Sequence, residues 1–141
     1  MSGGLVSGNT AYGYHGGGIF NQGVVNINGG SVTGNEAKAG LSGGGQGGGI
    51  LQNGVMNVSG TPYVAENTGV KGDNLYLRPG KVITVTGTLE DSALFRVYRE
   101  DGAGAVTAGF SGAAAGCFQS DREDCYIVLG DDGQEIGRAH V

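Results

Sequence analysis

The stretch GGIFNQGVVNINGGSVTGNEA, residues 17–37, decides the fold of this chain. Its opening, GGIFNQGVVNI over residues 17–27, returns as GGILQNGVMNV over residues 48–58. A third, drifted copy, NLYLRPGKVITV, follows over residues 74–85. Within the first copy Val25–Ile27 alternates apolar, polar, apolar, which is the period of a strand with one buried face. A regular repeat of such short strands predicts stacked units that share one core.

Equivalent apolar residues of successive copies form a predicted column, occupied by Ile19, Ile50 and Leu75. One short strand cannot bury its face alone, whereas stacked copies about 4.8 Å apart can. Glycine supplies 32 of the 141 residues. Each interior glycine costs a helix about 1 kcal/mol relative to alanine, so helices are disfavoured. We predict an all-β fold, a parallel β-helix of about three to four coils.

A second repeated element has the form Val-x-x-Asn and occurs at Val6–Asn9, Val32–Asn35 and Val64–Asn67. Asparagine tolerates the left-handed backbone of a sharp corner. Stacked asparagine side chains also hydrogen-bond along the stack in other in-register β assemblies. We therefore interpret Asn9, Asn35 and Asn67 as a structural ladder of corner residues rather than as a binding site.

These two elements carry a resemblance to a family. The Gly-Gly-Ile runs at residues 17–19 and 48–50, with Val-x-x-Asn, resemble the GGxI and FxxN repeats of chlamydial polymorphic outer-membrane proteins. The chain is still more similar to the glycine-rich right-handed β-helix repeats of large gut-bacterial surface proteins. The likeness covers roughly the first 100 residues, with Val in place of Phe in FxxN. It implies a right-handed coil and a bacterial adhesin-like protein, secreted or at the cell surface.

The composition shifts near residue 80, and the chain then becomes acidic, with a net charge of −5 over the whole sequence. We predict a repeat region over residues 1–99 and a C-terminal β segment over 100–141. The latter is expected to cap the same domain with a hairpin, Tyr126–Leu129 and Gln134–Gly137, joined by a Gly-Asp-Asp-Gly turn. The charge disfavours a nucleic-acid partner, because no basic patch exists to neutralise phosphates.

Three segments between the repeated elements, residues 10–18, 36–49 and 68–74, are interpreted as loops of differing length. Variable loops at one place in a repeat gather on one side of the stack, which is often the binding side. Tyr12, Tyr14 and His15 form their aromatic cluster. The functional hypothesis is a stacking platform for a sugar ring, and the alternative is a surface or loop-packing role.

The sequence contains no recognisable catalytic constellation. No two acidic residues of the repeat region fall at equivalent positions of adjacent copies, so no carboxylate pair for acid–base catalysis is expected. Neither a metal site nor a cofactor is predicted, since the two histidines lie in unrelated segments. Cys117 and Cys125 flank a short loop and are either a disulfide or two buried thiols.

The leading functional hypothesis is a non-catalytic, adhesin-like or stalk module that meets a host glycan or a surface protein. The first alternative is self-assembly, in which open β-helix ends stack into an oligomer or filament. The second alternative is a polysaccharide lyase or hydrolase. No signal peptide and no apolar run of transmembrane length is visible, so membrane insertion is not expected. We interpret the sequence as a piece of something longer.

Overall fold

The computed structural model describes residues 1–102, 104–109, 115–129 and 135–139, and it is all-β, as predicted. The only helical element in these ranges is a single 3₁₀ turn at Ala115–Cys117. The strands are short because glycines interrupt the chain at almost every corner. Gly8, Gly34 and fourteen further glycines adopt positive φ, which residues with a Cβ rarely tolerate.

The chain runs through the same sheets in successive passes. The first pass contains β1 (Leu5–Val6), β2 (Thr10–Tyr12), β3 (Ile19–Asn21) and β4 (Val24–Ile27). The second contains β5 (Ser31–Val32), β6 (Glu36–Gly40), β7 (Gly43–Gly44), β8 (Ile50–Gln52) and β9 (Val55–Gly60). The third contains β10 (Tyr63–Val64), β11 (Thr68–Gly69), β12 (Leu75–Leu77) and β13 (Ile83–Leu89). The fourth contains β14 (Leu94–Arg99), β15 (Gly104–Ala105) and β16 (Thr107–Gly109).

Three parallel sheets hold the passes together. Their strand orders are β1-β5-β10-β14-β12-β8-β3, β11-β6-β2 and β16-β13-β9-β4. The first sheet has two arms, because β10 and β12 both pair with β14. In the register, Ile19 lies beside Ile50 and Ile50 beside Leu75. The repeats of the sequence are thus neighbours in space, one pass above another.

The core is built from inward-facing columns of the same residues. Val32 and Val64, Ile50 and Leu75 are all buried and belong to one apolar cluster. Their first-pass equivalents, Val6 and Ile19, pack against this cluster but are only partly buried. The cross-section of the core is therefore partly open at the first pass, because in the described residues no strand lies beneath β1 to β4.

One arm of the first sheet is formed by β12, β8 and β3. The side chains of this arm that face away from the core form a mostly aromatic column. Phe20 pairs with Leu51, Leu51 with Tyr76 and Tyr76 with Tyr98. The rings of Tyr76 and Tyr98 stack with centroids 5.1 Å apart. Gly72 approaches both side chains so closely that a Cβ there would lie 2.8 Å from Cδ2 of Tyr76 and 2.9 Å from Cβ of Tyr98. The connecting segments therefore fold back over this face and bury Leu51 and Tyr76 completely or nearly so.

The three segments predicted as loops each begin with a strand, which corrects that prediction. The strands β2, β6 and β11 lie in these segments and form a parallel sheet of their own. Thr10-Ala11-Tyr12 pairs residue by residue with Glu36-Ala37-Lys38, and the small Ala37 faces inward. The polar-apolar alternation was present in the sequence, but alanine is too small to mark a buried face clearly.

The stack narrows at the fourth pass. Phe95 of β14 pairs with Val64, and two residues later Val97 pairs with Leu75. Residues 65–74 of the third pass therefore have no counterpart in the fourth, and nothing in the described chain pairs with the upper edge of β11. This leaves a step on the top of the stack, at the corner where the Val-x-x-Asn motif turns.

Parallel pairing continues beyond residue 99, the boundary expected for the repeat region. The strand β16 pairs with β13, and β17 (Phe118–Ser120) pairs with β14. An antiparallel hairpin follows, formed by β18 (Cys125–Leu129) and β19 (Glu135–Ala139). Its strands agree with the predicted ones within two residues, whereas the turn, residues 130–134, lies outside the described residues. Whether the hairpin closes the stack stays a prediction.

Candidate functional site at the end of an asparagine ladder

The corner asparagines form a continuous ladder of hydrogen bonds. Asn9 donates its backbone N–H (3.1 Å) and its side-chain Nδ2 (2.9 Å) to Oδ1 of Asn35. Asn35 makes the same pair of bonds, both 3.0 Å long, to Oδ1 of Asn67. Asn35 and Asn67 are buried, and such buried amides stabilise a fold only when fully hydrogen-bonded. Both Asn35 and Asn67 satisfy that condition through their bonds to the ladder and to backbone carbonyls.

The ladder extends two rungs beyond the residues expected from the motif. Asn67 donates its N–H and Nδ2 to Oδ1 of Asn74, and Asn74 donates its own N–H and Nδ2 to the carboxylate of Asp121. Arg96 Nε binds the same carboxylate at 3.1 Å, and the side chain of Asp121 is only 3% exposed. Each asparagine of the ladder therefore donates to the next residue of the ladder. The ladder ends at the carboxylate of Asp121, whose charge is neutralised by Arg96.

A cleft of about 360 Å³ opens on the step beside this terminus. Its lining is mixed in chemistry, with an aromatic ring, carboxylates, a guanidinium and an apolar side chain, and it includes Tyr63, Glu66, Asp73, Leu94, Arg96 and Asp121. The volume lies within the range of small-molecule sites, which begins at about 300 Å³. The cleft exists because the fourth pass omits the corner that the third pass makes.

Glu66 is the unusual residue of the cleft. Its φ is +59°, the only positive value among the described residues other than glycine. The equivalent residues of the first two passes are glycines, Gly8 at +70° and Gly34 at +68°. An L-residue in this conformation costs about 1–2 kcal/mol. A glutamate thus replaces glycine only in the pass that borders the cleft, at an energetic cost that the corner itself does not require.

The polar groups of the cleft are arranged for hydrogen bonding. The hydroxyl of Tyr63 donates to Glu66 Oε2 at 3.3 Å. Burial, and then the adjacent carboxylate of Glu66, raise the pKa of Tyr63 above its ordinary value of 10, so its hydroxyl stays a donor well above neutral pH. The Arg96 side chain, 42% exposed, uses Nε for Asp121 and turns toward the cleft. Exposed Glu66 and Asp73 supply acceptors beside it.

The aromatic residues singled out in the sequence do not form one platform. Tyr12 and Tyr14 are 68% and 71% exposed and flank Gly13, which has a positive φ. Lys38 of the next pass lies over the Tyr12 ring at 5.2 Å and contacts its hydroxyl at 3.4 Å. His15 instead packs against Phe20, with ring centroids 5.8 Å apart. Among the described residues no ring contact joins the three.

His15 is a packing residue of the folded-back segment. Its Nδ1 is buried and has no hydrogen-bond partner among the described residues. Desolvation, and then the positive charge of Arg78, lower the pKa of His15 below its ordinary value of 6.5. Gln46 occupies the equivalent place in the second pass, since Gly16 and Gly17 bond to the carbonyls of Gln46 and Gly47. A neutral imidazole suits this position.

No disulfide joins Cys117 and Cys125 in the structure, which therefore has two buried thiols, the second of the two alternatives. Cys117 Sγ contacts the carbonyl of Glu90 at 3.5 Å, whereas Cys125 Sγ lies 4.0 Å from the carbonyl of Gly102. The two sulfurs are thus directed at different parts of the chain. Burial is the main cause that raises the pKa of Cys125, which keeps its thiol protonated.

No cluster of three or more His, Cys, Asp or Glu side chains suited to a metal ion occurs in the described ranges. The acidic segment after Ser120 is engaged in local ion pairs. Asp124 and Arg122 form a bidentate pair, with bonds of 2.8 and 2.7 Å, and this pairing lowers the pKa of Asp124 to about 2. The guanidinium of Arg122 also lies over the ring of Tyr98.

The sequence contained part of the signal for this site. A comparison of the Val-x-x-Asn motifs shows glycine before Asn9 and Asn35 but glutamate before Asn67. Asn74 and Asp121 carry no such signal, because they lie outside the motif and join the ladder only through the narrowing at β14. The cleft itself has no counterpart in a linear pattern.

Comparison of the chain with known protein families, with curated proteins and with solved structures found no match. Among the described residues no helix is long and apolar enough to cross a membrane. The proposal that follows is therefore supported by the geometry of the fold and the cleft.

Proposed function

We propose that this chain is a right-handed parallel β-helix that acts as a non-catalytic, adhesin-like or stalk module of a secreted or surface-anchored bacterial protein. The observation that carries this proposal is the continuous ladder from Asn9 to Asp121, which runs through the first three passes and ends beside Arg96 of the fourth. Together with the parallel register, it makes the stack a rigid element rather than a hinged one. Bacterial origin and surface location derive from the family resemblance alone.

The ligand contact is assigned to the cleft rather than to Tyr12 and Tyr14. Sugar hydroxyls both donate and accept, so they can pair with the acceptor carboxylate of Glu66 and with the donor guanidinium of Arg96. The ring of Tyr63 offers a face for the C–H surface of a pyranose. A neutral glycan fits this mixture of groups better than an anionic one, because carboxylates outnumber the single arginine in the lining.

The test is a glycan array probed with the intact chain, followed by analysis of any bound glycan for cleavage products. The proposal expects binding of a neutral glycan without turnover, and loss of that binding in Glu66→Gly. Tyr12→Ala is the matched control, since it removes an exposed aromatic side chain outside the cleft. Cleavage of the glycan by the chain would contradict the non-catalytic role, and binding that depends on Tyr12 but not on Glu66 would contradict the assigned cleft.

Self-assembly through the ends of the stack is the second candidate. The observation in its favour is the open edge of the first pass, where β1 to β4 each have a single partner strand in the described residues. Sedimentation velocity over a wide range of concentration, with electron microscopy of any heavy fraction, tests it. Ordered oligomers or filaments would favour this role, and a monomer at all concentrations would exclude it.

A further inference from the structure

We infer that the cleft recognises two adjacent free hydroxyl groups on one sugar ring, and that Arg96 is the residue that determines this specificity. The inference rests on the proposed function, because it names the part of a neutral glycan that binds in the cleft. Three features carry it: the way in which the exposed carboxylates are held, the geometry of the guanidinium, and the buried carboxylate behind it.

The exposed carboxylates that border the cleft are each fixed through one oxygen and free at the other. Glu66 accepts the Tyr63 hydroxyl at Oε2, 3.3 Å away, and its Oε1 has no partner among the described residues. Asp73 accepts the backbone N–H of Gly69 at Oδ1, 3.0 Å away, and its Oδ2 is likewise unpaired in the described part of the chain. The cleft therefore has two oriented carboxylate oxygens that a ligand can use as acceptors.

Arg96 shows the same arrangement with donors. Its Nε binds Oδ1 of Asp121 at 3.1 Å, whereas neither of its Nη atoms has a hydrogen-bond partner among the residues that the structure describes. The guanidinium is planar, so fixing Nε also fixes the directions of the Nη hydrogens. The side chain is 42% exposed and lines the cleft. Arg96 thus presents a rigid fork of donors that fits two oxygens lying side by side.

Asp121 is a positioning residue for this fork. Its side chain is only 3% exposed, and its carboxylate accepts hydrogen bonds of 2.9 to 3.1 Å from the backbone N–H and Nδ2 of Asn74. The last asparagine of the ladder therefore holds the carboxylate, and the carboxylate holds Arg96. A donor that is oriented in this way before the ligand arrives loses little conformational entropy on binding.

Adjacent hydroxyl groups match this set of donors and acceptors. Each hydroxyl oxygen accepts from a Nη of Arg96, and its hydrogen is donated to a carboxylate oxygen of Glu66 or Asp73. An ionised carboxylate or sulfate group also fits the fork, but it has no hydrogen to donate. Its negative charge would in addition face the charges of Glu66 and Asp73. The arrangement therefore favours a pair of hydroxyls over an anion.

The first experiment titrates the intact, isotope-labelled chain with the methyl glycosides of mannose, glucose and galactose, and follows binding by NMR. We expect at least one glycoside to bind with a dissociation constant of about 1 mM or a few times that, and to shift the signals of Tyr63, Glu66 and Arg96. The monodeoxy analogues of that glycoside are then compared. Removal of either of two adjacent hydroxyls should weaken binding at least about tenfold, whereas removal of a hydroxyl elsewhere should weaken it less than about threefold. Equal losses for every hydroxyl would overturn the inference.

The second experiment uses Arg96→Lys, which keeps the positive charge but removes the fork, and binding of the glycoside should fall at least about tenfold. Arg78→Lys is the matched control, since the Arg78 side chain is 32% exposed and lies outside the cleft, with Nη1 3.7 Å from Glu100. It should bind the glycoside as the natural chain does. Unchanged binding by Arg96→Lys would overturn the inference, and the deoxy comparison on the natural chain decides the matter if this variant folds poorly.

Failure of the inference and failure of the proposed function give different results. Binding on the glycan array without binding of any methyl glycoside at about 100 mM would overturn the hydroxyl pair and leave glycan binding intact. Displacement of the glycoside by sodium sulfate, beyond that by sodium chloride of equal ionic strength, would reveal an anion site and overturn the inference as well. Absence of binding both on the array and to every glycoside would contradict the glycan contact itself.

Discussion

At the scale of single residues, the first three passes differ in the residue that occupies the left-handed corner before the ladder asparagine. Gly8, Gly34 and Glu66 share one backbone conformation, and only Glu66 bears a Cβ. Its carboxylate bonds to Tyr63 in the cleft rather than to the ladder. Because this side chain strains the corner but contributes a polar group to the cleft, its removal should stabilise the fold and weaken binding in the cleft.

Glu66→Gly is expected to raise the free energy of unfolding by about 1 kcal/mol, because glycine adopts this φ without strain. Gly34→Ala is the matched control and should lower it by about the same amount, since the corner has room for a Cβ and only the backbone is strained. Urea denaturation of the three proteins measures both effects. A destabilised Glu66→Gly would show that the carboxylate supports the fold itself.

We expect the stability of the fold to depend on pH through His15, in a direction that follows from its lowered pKa. Its pKa in the folded chain lies below 6.5, so the unfolded chain binds the proton more readily. The stability that neutral His15 contributes is complete above pH 6.5 and is lost as the pH falls toward the lowered pKa. The urea midpoint should therefore fall between about pH 7.5 and pH 5.5.

His15→Gln introduces the residue found at the equivalent place of the second pass and should reduce that fall. Proton NMR of the His15 ring provides a direct check, with a titration midpoint expected below 6.5. A midpoint at or above this value would contradict the buried, unpaired environment of Nδ1.

At the scale of elements, the stack is held by columns that differ greatly in burial. In the inner ladder, Asn35 and Asn67 are buried and hydrogen-bond only to neighbouring ladder residues and to backbone carbonyls. The outer pair of Asn57 and Asn26 makes a similar amide bond of 2.9 Å on the exposed face. Similar chemistry in two environments allows the effect of burial to be measured.

Asn35→Ala is expected to lower the free energy of unfolding by about 2–3 kcal/mol, because it removes the acceptor of two hydrogen bonds from Asn9 and the side-chain donor of one of the two bonds to Oδ1 of Asn67. Asn57→Ala should change it by less than about 0.5 kcal/mol, since water replaces an exposed partner. Chemical denaturation of both variants tests the pair. Equal losses would mean that the inner ladder contributes no more than an exposed amide bond.

At the scale of the whole molecule, the last described strands first continue the parallel sheets and then form an antiparallel hairpin. The parallel sheets continue through β16 and β17, the rings of Phe95 and Phe118 stack 5.4 Å apart, and Cys117 lies beside them in the core cluster. The C-terminal part therefore shares one core with the repeats. The reactivity of its cysteines reports on the integrity of that shared core.

Both cysteines should react with a thiol reagent only after unfolding, because Cys117 and Cys125 are buried and burial raises the pKa of Cys125. Two thiols should be counted in denaturant without prior reduction, and a reducing agent should leave the thermal midpoint unchanged. Reaction followed by mass spectrometry measures this. A mass two protons lower, with no thiol detected, would demonstrate a disulfide instead.

The sequence by itself determined the all-β class, the register of the columns through Ile19 and Val32, and the ladder positions Asn9, Asn35 and Asn67, because these residues recur at fixed places in two repeated motifs. The tertiary structure decided what no spacing contains. Residues 65–74 lose their counterpart when β14 runs straight across two arms of one sheet. Because the fourth pass lacks this corner, the cleft forms, Asn74 and Asp121 join the ladder, and the ladder ends on an acceptor.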